Sequence, residues 1–270
     1  VSAASYDHWS PVKRPLFAYG NAGTLAPVQT TFQRARNPAR KAQRRAHLLA
    51  TAHAMLTRGD PLRVLGLNEL ARQAGMAKAN VDTYFESREA LLLALLWDEW
   101  ERWFARLQAS TSSGRRALRL REVVALLAGS LARTPLLCEL TAALPTMLEQ
   151  NLSEGAIRAF KHQALALFAQ VAAHLALRAP GLSPTAYGEL LHDAAQTIVG
   201  LHPVTHPLPA TAKALTDPGL SFFRRDFETE LTRVLGALAL DHARRSRATM
   251  TRETTKKTKK ARAPIRQERR

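Results

Sequence analysis

The sequence predicts an all-α protein with an N-terminal helix-turn-helix three-helix head and a larger helical body. Apolar residues recur at intervals of three and four through most of residues 38–245, strand-like alternation is nearly absent, and breaks bearing glycine or proline cut the chain into helix-length pieces.

Residues 1–36 contain Pro11, Pro15, Gly20, Gly23 and Pro27 without sustained periodicity, the pattern of a flexible arm. A first helix is expected from Pro38, which suits a first turn, along the stripe Leu48, Leu49, Ala52, Met55 and Leu56 to a stop at Arg58-Gly59. Arg40, Lys41, Arg44 and Arg45 crowd its start, where the helix dipole favours anions; a nearby phosphate backbone or plain solvation would offset that cost. Leu67, Leu70, Ala71 and Ala74 mark the next helix, and Ala74-Gly75 a tight turn in which glycine tolerates a left-handed backbone. A further short helix leaves Lys78, Asn80 and Thr83 exposed, within reach of a DNA groove. Ser87 caps a longer helix from Arg88 that carries Trp97, Trp100 and Trp103 at intervals of three, either to line a cavity or to fill the core.

Further helices are expected over roughly 117–133, 135–150, 153–179, 184–201 and 219–245, with Pro135 and Pro184 in first turns, Ser153 at a helix start, and interruptions at Pro180-Gly181 and His202–Pro209. The resulting organisation is an arm (1–36), a helix-turn-helix domain (37–87), a helical body (88–245) and a basic tail without structure (246–270).

The formal charge of +17 is unevenly placed. Residues 1–63 hold ten Lys/Arg against two acids, residues 242–270 twelve against two, and residues 64–241 seventeen against eighteen. A near-neutral body with cationic ends suits a polyanion-binding protein; solubilising tails are the plainer reading. The single cysteine, Cys138, excludes an intramolecular disulfide and any cysteine-rich zinc site, and its apolar setting LLCEL predicts a buried thiol. No uncharged apolar stretch reaches 18 residues and no signal-peptide pattern opens the chain, so a cytoplasmic, membrane-free protein is expected. A nucleophile elbow, a glycine-rich phosphate loop and HExxH are all missing, which argues against an enzyme and against a cofactor. His192, Asp193, His202 and His206 do not have convincing metal-ligand spacing, and no metal is expected.

From Arg44 to Leu96 the chain resembles the TetR family of transcriptional regulators. The resemblance rests on the glycine-bearing turn Leu56-Thr57-Arg58-Gly59, the pairs Leu70-Ala71 and Ala74-Gly75, a recognition helix at Met76–Tyr84, the aromatic pair Tyr84-Phe85, and Ser87, Arg88, Glu89 and Leu91. Three positions depart from the family pattern: Gly66 and Ala77 stand where serine or threonine is common, and Asp82 stands where an aromatic residue is usual. A carboxylate near DNA is repelled unless it accepts a hydrogen bond, for instance from cytosine N4 or a neighbouring Lys or Arg.

The resemblance implies Lys78, Asn80 and Thr83 as base-edge or near-base residues, and Arg44, Arg45, Tyr84 and Arg88 as phosphate contacts on a palindromic double-stranded operator. Tyr84 can equally pack under the following helix, and Lys78 and Asn80 can simply face solvent. It also implies a homodimer whose four-helix seam uses 184–201 and 219–240, with Ala194, Ala195, Ile198 and Val199 on one helix and Phe222, Phe223, Phe227, Leu231, Val234, Leu235 and Leu238 on the other. The body would hold a small, mostly apolar effector, with Trp100, Trp103, His162 and His174 as candidate lining residues. The expected function is a repressor released by that effector. The alternative is an effector-binding or adaptor dimer whose head has lost DNA specificity.

Overall fold

The computed structural model describes residues 38–112 and 116–261, with residues 247–261 described by backbone alone. The expected arm at 1–36 and the end of the basic tail lie outside the described residues. Ten α-helices and no strand are found among the described residues. They fall into two compact units, to each of which two of the longer helices contribute.

The first unit takes the described residues up to Trp100 together with Ala143–Ala166. Its first helix, α1 (Pro38–Thr57), begins at the expected proline, has no acid in its first turn and ends before Gly59, whose φ of 103° only glycine adopts without strain. A 3₁₀ turn at Leu62–Val64 leads to α2 (Leu67–Gln73) and α3 (Lys78–Val81), and α4 (Arg88–Ser112) follows. Leu48, Leu49, Ala52, Met55, Leu70, Ala71, Val81, Phe85, Leu91, Leu92 and Leu95 are buried, so the apolar stripes read from spacing are the core of the head. Ser87 Oγ accepts from the Ala90 amide at 3.0 Å, the expected cap of α4. The far part of this unit holds the start of α7 (Glu154–Arg178), where Ser153 Oγ accepts from the Ala156 amide at 3.2 Å.

The second unit takes Glu101–Ala142 and the described residues from Leu167 onward. It contains α5 (Leu120–Ala132), α6 (Pro135–Ala143, here to Ala142), the later part of α7, α8 (Pro184–Thr205), α9 (Pro209–Ala214) and α10 (Phe227–Ala261). Helix α10 packs on α5 and α8. Gly129 in α5 faces the start of α10, where a Cβ would lie 2.9 Å from Glu228 Oε1, the movable end of that side chain. Between α8 and α10, His242 is 3% exposed and lies between two carboxylates: Nε2 is 2.8 Å from Asp193 and Nδ1 is 3.1 Å from Glu189. Tyr187, fully buried, donates its hydroxyl to the Ala179 carbonyl at 2.8 Å and ties the start of α8 to the end of α7. Cys138 is buried as expected; its thiol donates to the Leu131 carbonyl at 3.4 Å, and burial pushes its pKa up to about 12.

Four sequence expectations are corrected by these helices. The interruption expected over His202–Pro209 is narrower: α8 continues to Thr205 with Pro203 inside it, and the helix breaks only at 206–208, before α9. A proline so near the end removes a single ladder bond, and buried His202 is held in the final turn. Phe222 and Phe223 do not belong to the last helix. They occupy a 3₁₀ turn, Pro218–Phe223, and are exposed, while α10 begins at Phe227. The recognition helix is shorter than Met76–Tyr84, because Ala77 offers no capping side chain and the regular turns end at Val81. Finally, α10 runs to Ala261 where a tail without structure was expected from 246; no glycine or proline stands between Gly236 and Pro264 to stop it.

The end of α8 carries a pH-dependent element. His202 stacks on His206, with ring centroids 4.3 Å apart, and both rings meet Phe227 edge-on. Burial, then the neighbouring His206, lowers the His202 pKa from 6.5 to about 4. The folded protein therefore keeps this ring neutral in a window where the unfolded chain binds a proton. Stability contributed by His202 is complete above pH 6.5 and is lost as pH falls towards about 4; the full difference is on the order of 3 kcal/mol. Glu139, its carboxyl raised by burial, opposes part of this loss. His202→Phe keeps the stacked ring and removes the proton site, so melting curves between pH 7 and pH 4 should slope less steeply for the variant. Equal slopes would refute the assignment.

Candidate nucleic-acid interface

The turn between α2 and α3 sets the geometry of the head. Gly75 adopts φ 64°, the left-handed conformation expected of it, and the Met76 amide donates to the Ala71 carbonyl at 2.9 Å. His47 Nε2 on α1 donates to the Ala74 carbonyl at 3.3 Å, holding the turn against the first helix. Glu69 in the first turn of α2 accepts from Arg72 and Gln73, and these bonds hold its carboxyl down at about 2.

On α3 the side chains divide by face. Val81 and Phe85 are buried, whereas Lys78, Asn80 and Asp82 are exposed. Lys78 Nζ donates to Asp82 Oδ2 at 2.7 Å, so the carboxylate at the usual aromatic position has a cation one helical turn away. Thr83 is exposed, but its hydroxyl turns back to donate to the Asn80 carbonyl at 2.7 Å; its remaining capacity is as an acceptor. Tyr84 is half-buried.

The expected phosphate contacts separate in the same way. Arg44 is exposed on α1. Arg45 is half-buried, with its guanidinium carbon 5.2 Å from the centroid of the Phe85 ring, a cation–π contact that links α1 to the residue closing the recognition segment. Arg88 is turned inward. Its side chain is 27% exposed, and Nη2 donates to the Leu62 carbonyl at 3.2 Å and to Met147 Sδ at 3.1 Å. These contacts tie α4 to the 3₁₀ turn at Leu62–Val64. The partner lies 59 residues away along the chain, so nothing in the local pattern around Arg88 could have shown it.

The residues read as effector lining do not share one environment. In the first unit, Trp100 is buried and stacks on Phe160, with centroids 5.5 Å apart, while His162 is exposed. In the second unit, buried Trp103 donates its indole N–H to Ser130 Oγ at 2.9 Å. His174 there is half-buried, 2.7 Å from Thr111 Oγ1 and edge-on to Phe104; burial, then Arg178, lowers its pKa. The tryptophans thus serve as core, with Trp103 also hydrogen-bonded, and His174 is the polar group set among apolar side chains. The second unit also has an open cleft of about 260 Å³ lined by Val204, Pro207, Leu215, Phe223, Arg224 and Arg225, which spacing along the sequence did not suggest.

A helix-turn-helix with an exposed polar recognition face, in a chain that is otherwise helical, defines a helix-turn-helix transcriptional regulator. The C-terminal domain model of tetracyclin repressor-like proteins matches residues 97–240, and the chain belongs to that family of regulators with ligand-binding domains. No curated protein matches the chain. Among solved structures it is similar to the fatty acid degradation regulator FadR from Bacillus halodurans, at 12% identity and a TM-score of 0.45, over 73% of this chain and 94% of that one. No single helix among the described residues is long and apolar enough to cross a membrane.

Proposed function

We propose that this protein is a cytoplasmic homodimer that binds a palindromic operator through residues 37–87 and represses transcription until a small, mostly apolar effector enters the body. The observation that carries the reading is the recognition segment itself. Lys78 and Asn80 stand exposed over a face closed by Val81 and Phe85, and the glycine turn holds that segment against α2. Asn80 is suited to adenine, and Arg44 to a phosphate beside it. For the effector, His174 and Thr111 supply a hydrogen-bonding handle beside Phe104, with Leu107, Val171 and Leu175 buried on the same helices.

The test is selection from a random-sequence duplex library with the full chain, followed by a salt series on the selected duplex. A two-fold symmetric sequence should emerge. Arg44→Ala should lower the slope of log affinity against log salt by about 0.9, the share of a single neutralised phosphate. Weak binding without sequence preference would overturn the reading and favour the adaptor with a degenerate head. An unchanged slope would remove Arg44 from the interface.

A further inference from the structure

We propose that Lys78 and Asp82 act as one unit that reads a single G·C base pair in each half-site, with Lys78 donating to guanine and Asp82 accepting from cytosine. This inference rests on the operator-binding function proposed above. The two side chains lie one turn apart, on the exposed side of the segment whose other side is closed by Val81 and Phe85. They are 56% and 42% exposed, so neither serves the core, and their 2.7 Å contact sets a donor beside an acceptor.

The major-groove edge of G·C is complementary to that arrangement. Guanine presents two adjacent acceptors, N7 and O6, and cytosine presents the N4 amino donor next to them. O6 and N4 are partners in the base pair, about 2.9 Å apart like any N–H···O bond. A lysine ammonium 2.7 Å from a carboxylate can therefore meet both atoms together, ammonium to guanine and carboxylate to cytosine. The ammonium retains donors beyond the one given to Asp82, and the carboxylate retains acceptor positions beyond the one used by Lys78. A·T offers only one acceptor on either side of its donor, so it leaves the ammonium with a single acceptor where G·C gives two.

The pair also accounts for a carboxylate in a surface built for a polyanion. Alone, Asp82 would be repelled by phosphate. Joined to Lys78 it forms a locally neutral unit that gains little from non-specific attraction and keeps its directional hydrogen bonds for base edges.

The experiment is duplex selection with the full-length wild type, Lys78→Ala, Asp82→Ala and Asp82→Asn, followed by affinity measurements on the selected duplex and on variants of it changed at single base pairs. The wild type should fix one G·C pair per half-site. Lys78→Ala and Asp82→Ala should each weaken discrimination at that same pair, by roughly 5- to 150-fold, with less change elsewhere. A double variant carrying Lys78→Ala and Asp82→Ala, measured alongside, should lose less than the product of the two single effects, because either change breaks the unit. Asp82→Asn should shift the preference at that pair towards A·T, since an amide suits adenine. If the wild type selects no sequence, the operator-binding reading itself fails. If it selects an operator and the variants keep every base preference, the G·C assignment is wrong and operator binding stands. Uniformly tighter binding of Asp82→Ala to all duplexes, with preferences unchanged, would make Asp82 only a source of repulsion and would also overturn the assignment.

Discussion

Phe85→Ala should abolish operator binding, although Phe85 presents no polar atom to DNA. The ring is 3% exposed in the head core and also carries the Arg45 guanidinium 5.2 Å from its centroid. Truncating a buried phenylalanine costs about 3–5 kcal/mol, and removing the cation–π interaction adds about 0.5–1 kcal/mol. Whole domains are stable by only about 5–15 kcal/mol, so the small head has little margin against that loss. Two effects should coincide: partial melting of α1–α3 on a circular dichroism trace, and loss of specific binding in a mobility-shift titration. Phe85→Leu, which keeps an apolar side chain of comparable bulk, should retain most of both. Undiminished operator affinity in Phe85→Ala would show that the recognition segment is held by other contacts, and would remove Phe85 as its keystone.

Sequence spacing located this core because its determinants are local. Gly59 and Gly75 were recognisable as turn positions, and both adopt positive φ. Ser87 and Ser153 were recognisable as helix starts, and both hydroxyls accept from amides three residues on. What spacing could not supply was long-range partnership. Arg88 has the position of a phosphate contact in the family pattern, yet Leu62 and Met147 take its guanidinium. His162 and His174 look equivalent on the sequence, both polar interruptions of apolar stretches, but only His174 is set beside Thr111 and Phe104. Proline misled at one point: Pro203 signals a break, whereas α8 accommodates it two residues before its end. The Lys78–Asp82 pair lay between these cases. Its i,i+4 spacing made a contact possible, and the structure shows the two side chains joined.

Gly236→Arg should separate the proposed dimer into monomers while leaving the protomer folded. Helices α8 and α10 bury Ala194, Ile198, Leu231, Leu235 and Ala239 within the protomer, yet Ala195, Val199, Val234 and Leu238 stay half-buried and Leu240 is 57% exposed. A second copy of the chain would cover such residues, and two-fold symmetry would match a palindromic site. Gly236 lies one turn before Leu240, and a Cβ built there meets nothing within 4 Å. The substitution therefore meets no obstacle inside the protomer, and replacing an interior helical glycine should favour α10 by up to about 1 kcal/mol. In a seam, by contrast, the arginine would bring an unpaired charge against apolar side chains. A cost of about 2 kcal/mol or more is typical of a central interface position, which raises the dimer dissociation constant at least about 30-fold. Losing the second half-site should then weaken operator binding by roughly 10²- to 10⁴-fold. Gly155→Arg on α7 is the control, because its Cβ position is also open and it lies outside the proposed seam. Sedimentation velocity at matched concentrations should show a dimer for wild type and Gly155→Arg, and a monomer with an unchanged far-ultraviolet circular dichroism spectrum for Gly236→Arg. A Gly236→Arg protein that still sediments as a dimer would place the seam on another face of the body.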